Sequence, residues 1–277
     1  MIKLMMMVFT GTAMFLNIHN TFAAEVEFHN GTNFIPTKTY PEAEDEQILR
    51  LFEGLRVADV SDGMDAIGLK DIGLMNPEIH PLWRDISNST HRIIGIAITA
   101  RYIPTQQPTP VGVSIEEYDK WVADFYKNRS GEPFTQIIRK GTVLVIEETQ
   151  ETDVGSIGSN NILSWKLKGC VGVITSGTAR DTDEIILEKI PLYFKKPGRG
   201  IRPGRNEIES VNRPIVCGGV TVMPGDIIVA DGDGVIVVPR SRAKEVASYA
   251  RKILNSDKTG RKNLYEKLKI PLDNSVK

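Results

Sequence analysis

The chain has 277 residues, and its 34 lysine and arginine residues nearly balance its 35 aspartate and glutamate residues, for a formal net charge of −1. This balance excludes the basic surface typical of nucleic-acid-binding proteins, and no polybasic segment points to an anionic membrane. The four histidines have no ligand spacing, which argues against a zinc site. Two cysteines, Cys170 and Cys217, cannot form a disulfide framework; their apolar surroundings favour buried thiols, with a single bridge as the alternative.

Residues 1–23 have the pattern of a secretory signal peptide. Lys3 precedes an apolar segment at residues 4–16, and small residues precede a plausible cleavage site before Ala24. The apolar segment is too short for an ordinary transmembrane span. We therefore expect an exported, periplasmic protein without a membrane anchor after cleavage; an uncleaved anchor is the alternative. A polar N-terminal arm over residues 24–45 would follow.

Hydrophobic periodicity predicts the elements of the first half in chain order. Helices are expected at residues 42–55 and 115–126, and buried strands at residues 92–101 and 142–148. Between the first helix and the first strand, a strand or turn at residues 57–62 and a short helix at residues 63–68 are expected. Asp62 and Asp65 there are candidate metal ligands, but capping of the short helix is the preferred interpretation.

The central segment, residues 155–181, carries the strongest indication of a site. It contains a glycine turn, a helix at residues 162–167, a strand at residues 170–175 and then Arg180 and Asp181. A site outside the carboxyl end of a strand, beside a helix start, is typical of α/β sheets. The planar guanidinium of an arginine can bind a carboxylate through two hydrogen bonds, and the carboxylate oxygens of an aspartate are suitable ligands for Mg²⁺ or Mn²⁺. The alternative for this pair is an ordinary surface ion pair.

The last third begins with a loop at residues 195–205 that is rich in glycine, proline and arginine. Such loops are usually functional or mobile, so its basic residues either meet an anionic substrate or are solvated. Three strands are expected after it, with a tight hairpin turn between the last two, and a long helix ends the chain. These elements cover residues 213–222, 225–230, 234–239 and 241–268, with the hairpin turn at residues 231–234.

Several of these segments resemble the RraA-like family, which includes 4-hydroxy-4-methyl-2-oxoglutarate aldolases. The matching pieces are VADVSDGMDAIG, RIIGIAITAR, GSIGSNN, GCVGVITSGTARD and PIVCGGVTVMPGDIIVADGDGVIVVPR, in the order of the family. The resemblance implies a single α/β domain of the β/β/α swivelling type at residues 46–240, with an N-terminal arm and helix. Residues 241–277 would be a C-terminal helical extension. It also implies a homotrimer or hexamer with its sites between subunits.

The resemblance further implies a metal-dependent aldolase or decarboxylase that releases pyruvate from a 2-oxo acid. Asp181 would hold Mg²⁺ or Mn²⁺, and Arg180 would contact the pyruvoyl end of the substrate. The turn formed by Gly158, Ser159, Asn160 and Asn161 would bind its carboxylate, mainly through backbone N–H groups. The alternatives are a non-catalytic binding or regulatory protein and a lyase for a sugar-acid derivative.

This chain departs from the family pattern at two positions. Ser159 stands where members commonly have an acidic residue, and Ser176 stands where many have an aspartate before glycine. The missing carboxylate would help to anchor metal-bound water or carry a proton. Three acidic residues nearby in sequence are candidates to replace it, namely Glu147, Glu148 and Asp153.

Overall fold

The computed structural model describes residues 38–149 and 153–277, which belong to one compact unit, Thr37–Lys277. The predicted signal peptide at residues 1–23 and most of the predicted arm at residues 24–45 lie outside the described residues. In the part of the chain that is described, no helix is long and apolar enough to cross a bilayer.

The described residues contain helices and strands in alternation. The helices are α1 (Glu42–Phe52), α2 (Val57–Asp65), α3 (Ile115–Asn128), α4 (Ser159–Leu167), α5 (Thr182–Leu187) and α6 (Ala243–Leu268). The strands are β1 (His80–Pro81), β2 (Ile93–Pro104), β3 (Thr142–Glu148), β4 (Cys170–Thr175), β5 (Thr178–Ala179), β6 (Leu192–Phe194), β7 (Lys196–Pro197), β8 (Asn206–Val211), β9 (Ile215–Cys217), β10 (Val220–Val222), β11 (Ile227–Asp231) and β12 (Gly234–Val238).

The main sheet is mixed and nearly closes on itself. Its strand order is β1-β6-β4-β3-β2-β11-β12, and β8 also pairs with β2. Strands β2, β3, β4 and β6 run parallel, whereas β1, β8, β11 and β12 pair antiparallel with their neighbours. Because the first strand in this order also lies against the last, the sheet is barrel-like. The predicted α/β fold with a C-terminal helix is confirmed.

The core lies on both faces of the central strand β3. Val143 and Val145 pack in the cluster that includes the β9–β10 hairpin, whereas Leu144 and Ile146 pack in the cluster that includes Trp165 of α4. Alternate side chains of a strand point to opposite faces, so a strand segment buried on both sides is continuously apolar, as residues 143–146 of β3 are. A third cluster joins α1, α2 and α6 to β11 and β12.

The strand or turn predicted at residues 57–62 is wrong, and the short helix predicted at residues 63–68 begins earlier, at Val57, and ends at Asp65. Helix α2 begins at Val57 because Arg56 caps it and donates its backbone N–H to the Asp59 carboxylate at 2.9 Å. Val60 and Met64 of this helix are buried in the cluster shared with α6, which favours helical spacing over a strand. The capping role expected for Asp62 and Asp65 is therefore wrong: both are exposed within or at the end of α2, and Asp59 serves as the capping partner.

The single strand predicted at residues 213–222 is a hairpin of two strands, β9 and β10. Gly218 and Gly219 form its turn with φ values of 56° and 80°, a region that glycine enters without strain. The hairpin predicted at residues 231–234 is confirmed as the β11–β12 connection. Cys170 and Cys217 are buried free thiols, as expected.

Helix α1 supplies a test of the third cluster, because it carries a fully buried and an exposed apolar residue side by side. Phe52 is 0% exposed and Leu51 is 40% exposed. We expect Phe52→Ala to lower the free energy of unfolding by about 3–5 kcal/mol, since it leaves a cavity among packed helices. Leu51→Ala should change it by less than about 1 kcal/mol. Urea denaturation of both variants measures the difference, and equal losses would contradict this account of the core.

Candidate active site

The two residues that the sequence singles out follow directly from the end of β4. A turn at Ser176-Gly177 leads into β5, and Arg180 and Asp181 come immediately after it. Asp181 is the residue before helix α5 and has a left-handed backbone, with φ 55° and ψ 40°. This conformation is uncommon for residues other than glycine, although aspartate tolerates it, and such strain clusters at functional sites.

The glycine turn lies against this pair. Ile157 forms a parallel bridge with Ala179, and the Arg180 backbone N–H donates to the Ile157 carbonyl at 2.8 Å. A Cβ at Gly155 would come within 2.6 Å of the Arg180 Cβ, and a Cβ at Gly158 within 2.8 Å of the Asp181 Oδ2. Both positions therefore require glycine, because any side chain would push the turn away from the charged pair.

Helix α4 begins at this turn, so its first-turn N–H groups face the aspartate. The Ser159 N–H donates to the Asp181 Oδ2 at 3.2 Å. Asp181 makes no side-chain capping bond to its own helix α5, so its carboxylate serves the α4 turn instead. The first amides of a helix have no intrahelical partner, and together they favour an anion. The predicted binding turn and the predicted metal ligand are thus in contact.

Arg180 and Asp181 are only loosely paired with each other. The distance from Arg180 Nε to Asp181 Oδ1 is 3.9 Å, and the two side chains are 36% and 39% exposed. Within the described residues, Arg180 Nε is buried without a hydrogen-bond partner. A guanidinium with unused donors at a half-open surface can bind a carboxylate or an enolate oxygen.

The turn residues Asn160 and Asn161 have different environments. Asn160 is exposed. The side chain of Asn161 points into the protein, where its Oδ1 accepts the Gly158 N–H at 3.3 Å and its Nδ2 donates to Glu132 Oε1 at 2.6 Å. Asn161 therefore caps and braces the turn with its side chain, and only its backbone N–H is available for the predicted substrate contact.

Sequence reasoning missed Glu132, which connects three parts of the site region. Its carboxylate accepts hydrogen bonds from Asn161, from Trp165 Nε1 at 2.9 Å and from Arg202. Arg202 is buried and also stacks over the Tyr102 ring at 5.2 Å. The sequence feature that could have pointed to this contact was the arginine-rich loop at residues 195–205, which contains Arg202. The default that its basic residues are solvated is wrong for Arg202, since a buried arginine requires a carboxylate.

The three candidate replacement acids have separate environments. Glu147 Oε1 lies 3.4 Å from Arg101 Nε, and its Oε2 accepts the Val216 N–H at 3.0 Å. Asp153 accepts from Arg199 Nε at 2.6 Å, which holds its pKa below the usual range. Glu148 is buried, and burial raises its pKa to about 7. Hydrogen bonds from Ser156 and Thr178 lower the pKa and offset part of this effect. Within the described residues, none of these three acids forms a hydrogen bond or an ion pair with Asp181.

The donor set restricts the kind of metal site that Asp181 could form. In the described ranges, no group of three or more histidine, cysteine, aspartate or glutamate side chains could hold an ion. A site built on Asp181 would therefore have at most two protein ligands of these types within the described residues. This fits Mg²⁺, which keeps several waters and is often bound through one or two carboxylates together with its substrate.

Comparison with known proteins gives a family match. A family model described as RraA-like: Aldolase/RraA matches residues 57–237. Protein DlpA of Legionella pneumophila is 27% identical over 78% of this chain and 30% of its own length. A protein of Thermus thermophilus named 4-hydroxy-4-methyl-2-oxoglutarate aldolase is 31% identical over 36% of this chain and 60% of its own length. The chain thus spans less than two thirds of the length of either relative.

Among solved structures, Streptomyces coelicolor RraAS2 has a similar fold, with a TM-score of 0.65 and 21% sequence identity. It is described as an unusual member of the RNase ES inhibitor RraA protein family, and the likeness covers 79% of this chain and 98% of that one. Because the family model covers 57–237, well over half of the 277 residues, this protein belongs to the RraA-like (Aldolase/RraA) family.

Proposed function

We propose that this protein is a divalent-metal-dependent carbon–carbon lyase that acts on a small 2-oxo acid and releases pyruvate. The observation that carries the proposal is the position of Asp181: its carboxylate is not used to cap α5 and lies at the N-terminus of α4, beside a loosely paired arginine. The relative from Thermus thermophilus named as an aldolase supports the reaction class.

The residues have distinct roles in this proposal. The backbone N–H groups of Asn160 and Asn161, at the start of α4, bind the substrate carboxylate, and Asp181 holds Mg²⁺ or Mn²⁺. When bound, the metal supplies positive charge for the oxygens of the substrate. Carbon–carbon cleavage leaves the enolate of pyruvate, and the Arg180 guanidinium stabilises its new negative charge. The close approach of Gly155 and Gly158 keeps these groups in a fixed arrangement before the substrate arrives.

Ser159 reduces the negative charge of the site relative to the common family pattern. The proposed metal therefore depends on Asp181, water and the substrate, which favours weak binding in the absence of substrate. We also propose the exported location expected from residues 1–23, and a homotrimer or hexamer; both stay predictions of the sequence.

The first test is pyruvate release from oxaloacetate and from 4-hydroxy-4-methyl-2-oxoglutarate, with Mg²⁺ or Mn²⁺ and then with EDTA. We expect metal-dependent release, and Asp181→Ala should lower kcat by about 10²–10³-fold because one preorganised charge is lost. Asp183→Ala removes an exposed carboxylate two residues away on α5 and should keep full activity.

Two results would contradict the lyase proposal. One is equal activity in Asp181→Ala and Asp183→Ala. The other is no release from either substrate by a wild-type protein that circular dichroism shows to be folded. The second result would favour the non-catalytic regulatory alternative or a sugar-acid substrate.

A second prediction concerns the departure at Ser159. Ser159→Asp adds a carboxylate at the first position of α4, next to Asp181, where the helix dipole also favours negative charge. We expect Mn²⁺ affinity, measured by isothermal titration calorimetry, to increase by about tenfold because ligand charge tunes such sites. Ser164→Asp, an exposed change on the same helix, is the matched control and should leave the affinity unchanged. An equal effect of both substitutions would mean that Ser159 does not face the metal.

A further inference from the structure

A second recess lies at the carboxyl edge of the parallel strands. Strands β3, β4 and β6 run parallel, and a cleft of about 300 Å³ opens where they end, at Glu148, Ser176 and Lys195. In α/β sheets, ligands bind outside the carboxyl ends of the strands. Neither Arg180 nor Asp181 lines this cleft, so it is separate from the proposed lyase site.

The cleft is lined by a carboxyl group with one oxygen that lacks a hydrogen-bond partner within the described residues. Glu148 lines it and is only 9% exposed, and burial raises its pKa to about 7. Its Oε1 has no hydrogen-bond partner in the part of the chain that the structure describes. Buried polar atoms nearly always have a partner, and an exception calls for an explanation such as a ligand.

The backbone around Glu148 is adapted to its presence. A Cβ at Gly177 would clash with the Glu148 carboxyl group, so a side chain there would displace that group. The Ser176 hydroxyl oxygen accepts the Glu148 N–H at 3.1 Å, which places that hydroxyl at the wall of the same cleft. The strand ends therefore hold the carboxyl group and a hydroxyl side by side.

The remaining wall restricts the chemistry of an occupant. Lys195 and Lys196 balance Glu78 and Glu148, and Lys195 Nζ already lies 3.5 Å from Glu78 Oε2. A cleft with balanced charge does not favour an ion of either sign. Ile79 adds an apolar surface. The combination of carboxyl, hydroxyl, ammonium and apolar groups suits a molecule with many hydroxyl groups on a carbon frame.

We propose that this cleft binds a small neutral polyol or sugar of monosaccharide size, with a hydroxyl of the ligand hydrogen-bonded to Glu148. A hydroxyl both donates and accepts, so it satisfies the carboxyl group in its neutral and its ionised form. The volume of about 300 Å³ is at the lower end for small-molecule sites, which excludes long oligosaccharides from full enclosure. The proposal does not depend on the lyase activity.

The test uses saturation-transfer difference NMR with D-glucose, D-glucitol and D-gluconate as probes. Hexane-1,6-diol is the control, because it has six carbons but no neighbouring hydroxyls. We expect the neutral probes to bind and the diol not to bind. Binding of D-gluconate alone would overturn the proposal of a neutral ligand, and binding of none of the probes would overturn the site.

Variants locate the bound probe. Glu148→Leu removes the carboxyl group, and Val216→Trp fills the cleft from a side chain that is 51% exposed and outside the core. Both should raise the dissociation constant of the neutral probe by tenfold or more. Asp181→Ala should leave it unchanged. Unchanged binding in folded Val216→Trp, or loss of binding in Asp181→Ala, would place the probe elsewhere and overturn the proposal, even where Glu148→Leu fails to fold.

Discussion

The carboxylate of Glu132 joins parts of the chain that are far apart in sequence. It accepts from Asn161 and Trp165 of α4 and from Arg202 in the arginine-rich loop. Arg202 is only 5% exposed, so its charge depends on this partner. Removing one member of a buried ion pair typically costs about 3–5 kcal/mol, because the remaining charge is left without compensation. The start of α4 and the loop are therefore positioned together.

This connection fixes the turn that contacts Asp181. Asn161 receives a hydrogen bond from Gly158 and gives one to Glu132, so the conformation of the turn depends on a carboxylate 29 residues earlier. On the other side, Gly158 has no side chain to separate the turn from the Asp181 carboxylate. Two features therefore hold this turn in place: Gly158 has no Cβ, and the Glu132 carboxylate binds Asn161. The left-handed backbone of Asp181 is the third constraint, since it turns the carboxylate toward α4.

The short turn after β4 borders the cleft and also leads to the candidate active site. On one side, Gly177 packs on Glu148 and borders the cleft at the strand ends. On the other, β5 continues from Thr178 to the Arg180–Asp181 pair. The Glu148 carboxyl group beside the cleft has its pKa raised by burial, whereas the candidate active site carries the charges of Arg180 and Asp181.

Several features could be predicted from local sequence because their cause is local. The continuous apolar run of β3 and its β-branched residues specify a buried strand, and the apolar spacing of residues 42–55 specifies α1. The order of glycine turn, helix, strand and Arg180–Asp181 also predicted that the pair would lie beside a helix start. Residues 57–62 were misinterpreted because their helix depends on the Arg56–Asp59 cap and on burial against α6, almost 190 residues later.

The sequence by itself determined the α/β class, the buried strands and the pair of residues at the candidate site, because periodicity and turn chemistry act over a few residues. Only the tertiary structure decided the partners of Asn161, Arg202 and Glu148. Each of these polar groups is buried by segments distant in sequence, and burial changes what a charge requires. A charged side chain that water would solvate in an isolated loop needs a hydrogen-bonding or ionic partner when the folded protein buries it.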